Sequence, residues 1–323
     1  MSLSPQWAFA FITDIHGNHT ALQAVLDDVA RMRTHSDPEN FELVCLGDSF
    51  DGGPDPELVF DALEVLQCAH IRGNHEDYLF ECHADPENEK FKRPLWKFVP
   101  WTVSRLQNSL VHLKKRAIER WSSEQCNLIA VHASASNNNR VPEFFSQQSA
   151  LRSSFIERHD IVQARSIYFN GHSHYLGLHS NPLKNEKWIN CGSVGYPFVD
   201  KLPSSPDAPL ATWVWLECYS ESPMDMRFSV INRRVPYSSD ALLRRYHESG
   251  ALELCAPFSF AIAAQSLFNT DVVFPFFQRI KGQNFTPEET AQLLVRELER
   301  QSVFSRINLL LRRAGMCEVH PKP

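Results

Sequence analysis

The first two-thirds of the chain alternates short apolar runs with helical patterns. Trp7–Ile12 reads as a strand, and Phe41–Leu46 as the next. Between them, Leu22, Val25, Leu26 and Val29 recur at i, i+3, i+4 and i+7, which predicts a helix over Ala21–Met32. Glu57–Leu66 repeats the helical period, and Asn127–Val131 and Ile167–Phe169 are two further short strands. This strand–helix rhythm predicts a layered α/β domain. From Lys187 onward the texture changes to strands, at Lys187–Cys191, Ala211–Tyr219 and Met224–Ile231. In the last, Met224, Met226, Phe228 and Val230 alternate with Asp225, Arg227 and Ser229, a half-buried pattern.

The remainder reads as helical. Ser238 or Ser239 offers an N-cap for a helix ending near Gly250. Thr286-Pro287-Glu288-Glu289 supplies a cap, a proline at the first helical position and a glutamate two residues on, and that helix is expected to run towards Gly315. A boundary near residue 236 follows, giving units 1–236 and 237–323. The tail carries Phe258, Phe260, Phe268, Phe274, Phe276 and Phe277. Aromatics at this density read as core, with a homodimer interface or an apolar substrate rim as alternatives. The basic stretch between Glu81 and Trp121, with Trp96 and Trp101 among cations from Lys90 to Arg116, reads as a helical insertion with a solvated face; the alternative is a lid or a substrate-docking flank.

The 323 residues carry 32 Lys+Arg against 38 Asp+Glu, a formal charge of −6, so bulk nucleic-acid binding is not expected. Leu254–Thr270 lacks charge but contains Ser259, Gln265, Ser266 and Asn269, and reads as buried rather than membrane-spanning. The N-terminus has no secretory pattern. The 8 cysteines are scattered with no CxxC, as in a reducing compartment, and a cytoplasmic location is expected.

The candidate chemistry follows the strands. Asp14-Ile15-His16, Gly47-Asp48-Ser49-Phe50-Asp51, Gly73-Asn74-His75-Glu76, His132 and Gly171-His172-Ser173-His174 each come just after an apolar run. Strand carboxyl ends are where open α/β sheets place their sites. Residues at i and i+2 of extended chain share a side, so Asp14 with His16, and His172 with His174, could each offer two ligands to one place. Imidazole and carboxylate without thiolate suit Mn, Fe, Zn or Ni.

The series D-x-H … G-D-x-x-D … G-N-H-E … H … G-H-x-H resembles the calcineurin-like metallophosphoesterase superfamily, and within it the bacterial and archaeal phosphodiesterase-like branch. Asp14-Ile-His-Gly-Asn18, Gly53-Pro-Asp-Pro56, Ile189-Asn-Cys-Gly-Ser-Val-Gly-Tyr-Pro197 and Arg234-Val-Pro-Tyr237 add to the likeness, which covers about residues 7 to 250. It implies a four-layer αββα sandwich, here with a C-terminal helical extension. It implies two divalent cations, manganese favoured: one held by Asp14, His16, Asp48 and His174, the other by Asp48, Asn74, His132 and His172, with Asp48 bridging. A bridging hydroxide would attack phosphorus in line. His75 stands in the family's position for protonating the leaving group, and Asp51 can accept from it. The implied substrate is a phosphoester, with a nucleotide among the candidates and a diester favoured. The alternatives are a phosphomonoesterase, acting on protein or nucleotide, and a non-enzymatic scaffold on the same fold. Related protein phosphatases carry D-R-G where this chain has Asp51-Gly52-Gly53, so that phosphate clamp is missing. Arg72, Asn74 and Arg140 are the candidate substrate contacts. Cys191 replaces the branch's usual proline and reads as structural.

Overall fold

A computed structural model of the chain describes residues 4–142, 158–162, 166–181, 184–198, 209–220, 226–268 and 271–319. Its centre is strand β1 (Trp7–Ile12). Ala8, Ala10 and Ile12 point to one side and Phe9 and Phe11 to the other, and all five are fully buried. A strand apolar on both faces belongs in the middle of a covered sheet. β2 (Asn40–Cys45) pairs parallel to it, and β3 (Ala69–His70) parallel to β2. On its other side run β10 (Leu210–Ser220), β11 (Met226–Pro236) and β6 (Arg158–Val162), each antiparallel to its neighbour.

A second mixed sheet has the order β4 (Trp121–Ser123), β5 (Leu128–Ala130), β7 (Ser166–Asn170), β9 (Glu186–Cys191), β8 (Leu176–Asn181). The sheets face each other through Phe9, Phe11, Val44, Val214 and Leu216 on one side and Leu128, Ile167, Phe169 and Ile189 on the other. Phe11 stacks on Phe169 with centroids 3.8 Å apart. Burying a ring or aliphatic side chain of this size contributes roughly 1.5–3 kcal/mol. β4, β6 and β8 were not legible in the sequence, whereas β3 is the apolar run expected before Gly73. In β11 Phe228 and Val230 are buried and Arg227 exposed as the alternation expected, but Ser229 is buried too, because this strand is covered on both faces there; Met224 lies outside the described residues.

The opposite face of the first sheet is covered by helices. α1 (His19–Ser36) lays Leu22, Val25 and Val29 into one core with Ala8, Ala10, Trp213 and Trp215. The side chain of Asn18 caps it, accepting from the Ala21 amide at 3.0 Å. α2 (Pro56–Leu66) and α3 (Asn74–Ala84) follow, and the basic stretch folds as α4 (Glu89–Lys92), a 3-10 turn at Pro94–Trp96, α5 (Phe98–Leu106) and α6 (Asn108–Arg116). After β11 come α7 (Ser239–Glu248), α8 (Ala251–Leu254), α9 (Phe258–Phe268), α10 (Val273–Ile280), α11 (Pro287–Arg300) and α12 (Val303–Arg313). The described part of the charge-free window is largely α9, buried almost all round.

Two helices stand where the pattern predicted one running towards Gly315. Ser302 takes a left-handed conformation, φ 55°, and breaks the helix. The break lets Val303, Ile307 and Leu311 turn into the core that already holds Leu294 and Leu298. Two mixed sheets packed face to face with flanking helices are the α/β architecture that the sequence predicted. Among the described residues, no helix is long and apolar enough to cross a membrane.

Candidate metal centre

The loops that leave β1, β2, β3, β5 and β7 at their carboxyl ends converge on one place. Asp14, His16 and His174 form one buried group whose ligand atoms lie within 4.8 Å of one another; Asp48, His132 and His172 form a second. Convergence does not arise from extended chain, as the i, i+2 argument expected. Asp14, His16, Asp48, His172 and His174 all have positive φ, between 49° and 66°. Each non-glycine residue held there costs about 1–2 kcal/mol, so the surrounding structure must enforce it. The left-handed turns also separate His172 from His174: the two go to different groups.

Backbone carbonyls set the tautomers. His16 Nδ1 donates to the Asp51 carbonyl at 2.6 Å, His132 Nδ1 to that of Leu46 at 2.8 Å, and His174 Nδ1 to that of Tyr196 at 3.1 Å. A carbonyl only accepts, so each neutral ring presents Nε2 as a lone pair. Those lone pairs meet other acceptors. His16 Nε2 and His174 Nε2 are 3.3 Å apart, and His174 Nε2 is 3.2 Å from Asp14 Oδ1. His132 Nε2 is 3.2 Å from Asp48 Oδ2 and 3.0 Å from Asn74 Oδ1, which is itself 2.8 Å from His172 Nδ1. Around Asn74 these contacts are satisfied by a shared cation, by a proton on His132 Nε2 donating to Asp48, or by Asn74 turning its nitrogen inward to donate to both rings; between His16, His174 and Asp14 they are satisfied by a cation or a proton. Nitrogen and oxygen donors fixed from behind by carbonyls fit divalent metal ions.

The charges inside the site act on one another. Burial opposes ionisation of Asp14, yet His174 and His16 hold its carboxyl well below the usual range. Burial works against the His132 cation too, but Asp48 outweighs it and pushes the ring up to about 10. Burial and the neighbouring His132 take His172 down to about 4.

The supports of the two carboxylates explain the glycines in the motifs. Asp14 Oδ2 accepts from Thr13 Oγ1 at 2.6 Å and from the His172 amide at 2.9 Å. A Cβ on Gly171 would sit 2.3 Å from that oxygen. Asp48 Oδ1 accepts from the His75 amide at 2.8 Å, and a Cβ on Gly73 would sit 2.2 Å from it. Both glycines are required by close approach.

His75 stands at the open edge, its side chain 27% exposed. Its Nδ1 lies 2.8 Å from Asp51 Oδ2. Burial disfavours its cation, but Asp48 and Asp51 overcome this and raise it to about 9. Arg72 is engaged elsewhere, 3.0 Å from both Asp77 and Glu119. Arg140 is exposed on the loop after His132. Cys191 is fully buried, and that burial pushes its thiol well above the ordinary range, which suits packing.

Sequence reasoning missed the buttresses. Glu76, fully buried, accepts from the amides of Asp48 at 2.8 Å, Ser49 at 2.7 Å and Gly73 at 2.7 Å. Burial and nearby Asp48 raise it to about 7. Asn190 donates to the Gly171 carbonyl at 2.8 Å, and Ser193 Oγ to that of Asp14 at 2.8 Å. All three lie inside motifs noted for their resemblance; a glutamate at the third helical position was the one usable signal.

Solved structures similar to this fold include the following two. A metallophosphoesterase from Sphaerobacter thermophilus is 19% identical, with 78% of this chain and 98% of that one covered and a TM-score of 0.52. A hypothetical protein from Pyrococcus horikoshii is 14% identical, with 82% and 100% covered and a TM-score of 0.56. At these identities the likeness speaks to the fold alone. No curated protein matches the chain. The family model of the calcineurin-like phosphoesterases matches residues 8–176, a span that contains all seven candidate ligands, and the chain belongs to that family.

Proposed function

We propose that this protein is a phosphodiesterase with a dinuclear centre, manganese favoured. Asp14, His16, Asp48 and His174 would hold one cation, and Asp48, Asn74, His132 and His172 the other. The observation that carries the reading is the pair of largely buried donor groups in which backbone carbonyls orient the rings of His16, His132 and His174 towards the carboxylates and each other. Bound there, divalent cations supply Lewis-acid polarisation of a phosphoryl oxygen and acidify water towards neutral pH. His75, held at Nδ1 by Asp51, presents its outer nitrogen to protonate the leaving oxygen. Residues 1–236 would carry the catalysis and 237–323 form a helical extension.

The diester preference rests on charge. A monoester brings a dianion to the site, a diester a monoanion. The loop after Asp51 offers two glycines where a guanidinium would stand, and Arg72 is spent on Asp77 and Glu119. The test is metal content by emission spectroscopy, then turnover of bis-p-nitrophenyl phosphate and of p-nitrophenyl phosphate with added Mn²⁺, beside an Asp48→Asn control. Two metals per chain and faster diester turnover are expected. Faster monoester turnover would overturn the diester preference. Less than one metal per chain, with turnover equal to the control, would favour a scaffold.

A further inference from the structure

The aromatic residues of the tail do not all enter the core. Phe260 and Phe276 do, but Phe274, in the first turn of α10, is 45% exposed. It is joined to the metal centre by a path of rings. Phe198 lies 5.4 Å from the His174 ring, and its amide donates to the His174 carbonyl at 3.0 Å. Tyr175 lies 5.0 Å from Phe198 and Phe274 6.1 Å from it, centroid to centroid. The tail is fixed against the same place: Gln265 of α9 donates at 3.1 Å to the Tyr196 carbonyl that also accepts from His174. An aromatic shelf, half-buried at Phe198 and Tyr175 and exposed at Phe274, therefore runs outward from a candidate ligand.

We infer that this shelf is a substrate subsite, with Phe274 stacking on the nucleobase of a nucleotide phosphodiester. The inference rests on the phosphodiesterase reading and names its substrate class. Spacing selects the occupant. An aryl group bound directly to the phosphoryl oxygen lacks a spacer and stops beside Phe198, which is already packed on His174. A base is held away from its phosphate by a sugar, so it reaches the next ring outward, which is the exposed one. Stacking on a single ring tolerates any base, because every base has a π-face.

The experiment compares thymidine 5′-p-nitrophenyl phosphate with methyl p-nitrophenyl phosphate, two diesters with one leaving group, on the Mn²⁺-loaded wild type, Phe274→Ala and Phe274→Tyr. Calorimetry of AMP binding to the same three proteins runs beside it. The ratio of kcat/KM, nucleoside ester over methyl ester, should fall about tenfold in Phe274→Ala and be restored in Phe274→Tyr, and AMP affinity should follow it. An unchanged ratio, or no AMP binding by the wild type, overturns the subsite. So does a dimer in light scattering that Phe274→Ala dissolves, since a second copy would then cover the shelf. Phe274-dependent AMP binding by a wild type that hydrolyses neither ester keeps the subsite and removes the phosphodiesterase reading.

Discussion

Asp51 and His75 are joined side chain to side chain at 2.8 Å, while the Asp51 carbonyl holds His16 at 2.6 Å. One residue thus orients both the candidate acid and a candidate ligand, the first through its carboxylate and the second through its main chain. Changing the side chain separates the two tasks. Asp51→Asn keeps the carbonyl, so metal content should stay at the wild-type level. His75→Ala should also spare the metals and slow alkyl esters by about 10²–10⁴, with a smaller loss on nitrophenyl esters, whose leaving group needs no proton. If Asp51 acts through His75, the double variant should be no slower than His75→Ala alone. Equal losses on both ester classes would give His75 another task.

Glu76 is expected to be the structural keystone of the second and third site loops. Glu76→Ala strands the buried amides of Asp48, Ser49 and Gly73, each costing about 1–3 kcal/mol when unpaired. Urea denaturation should show a loss of about 3 kcal/mol or more. Glu76→Gln retains one acceptor oxygen and should lose less. A loss below 1 kcal/mol in the alanine variant would mean the loops are held by other contacts.

Gly171→Ala tests the close approach behind Asp14. The added carbon would meet Thr13 Oγ1 at 2.0 Å and Asp14 Oδ2 at 2.3 Å, so the carboxylate must move. Metal content should fall while the far-ultraviolet circular dichroism is retained. Chelation of the wild type should lower its Tm, and Mn²⁺ should restore it, since a ligand that binds only the folded state stabilises it. In Gly171→Ala that Mn²⁺-dependent rise should shrink.

His70 makes a prediction about acid. Burial, with Arg116 adding to it, takes its imidazole down to about 4 from the ordinary 6.5, and Ser49 Oγ is its partner at 2.9 Å. Below pH 6.5 the unfolded chain takes up a proton that the folded chain refuses. Stability from this group is therefore complete above 6.5, declines as pH falls, and is lost by about pH 4, with a slope near 1 kcal/mol per pH unit. His70→Gln should flatten that part of the stability profile. An identical slope in both proteins would place the acid sensitivity elsewhere.

All seven candidate ligands, His75 and Asp51 could be named from the chain alone, as could β1, β2 and the helices capped by Ser238 and Thr286. Local rules reach these features: alternation of period 2 or 3.6, a cap three residues before the amide it accepts from, a polar cluster where an apolar run stops. Such rules act over a few neighbours, and sequence displays neighbours. They did not reach β4, β6 and β8, nor the break at Ser302, where packing overrides a continuous helical period.

The family likeness implied which donors share a place, but the local spacing rule did not, and only the tertiary structure shows why. His172 and His174 are two residues apart and go to different groups, because both residues adopt left-handed backbone that no propensity favours and only distant contacts hold. Glu76, Asn190 and Ser193 gain their meaning from amides and carbonyls brought to them by other loops. Phe274 is separated from His174 by a hundred positions in the chain and by one intervening ring in space. Residue type fixes what a side chain can donate, accept or stack upon, and that is written in the sequence. Who stands opposite depends on how the two sheets and the tail helices close around a common core, a property of the whole chain at once.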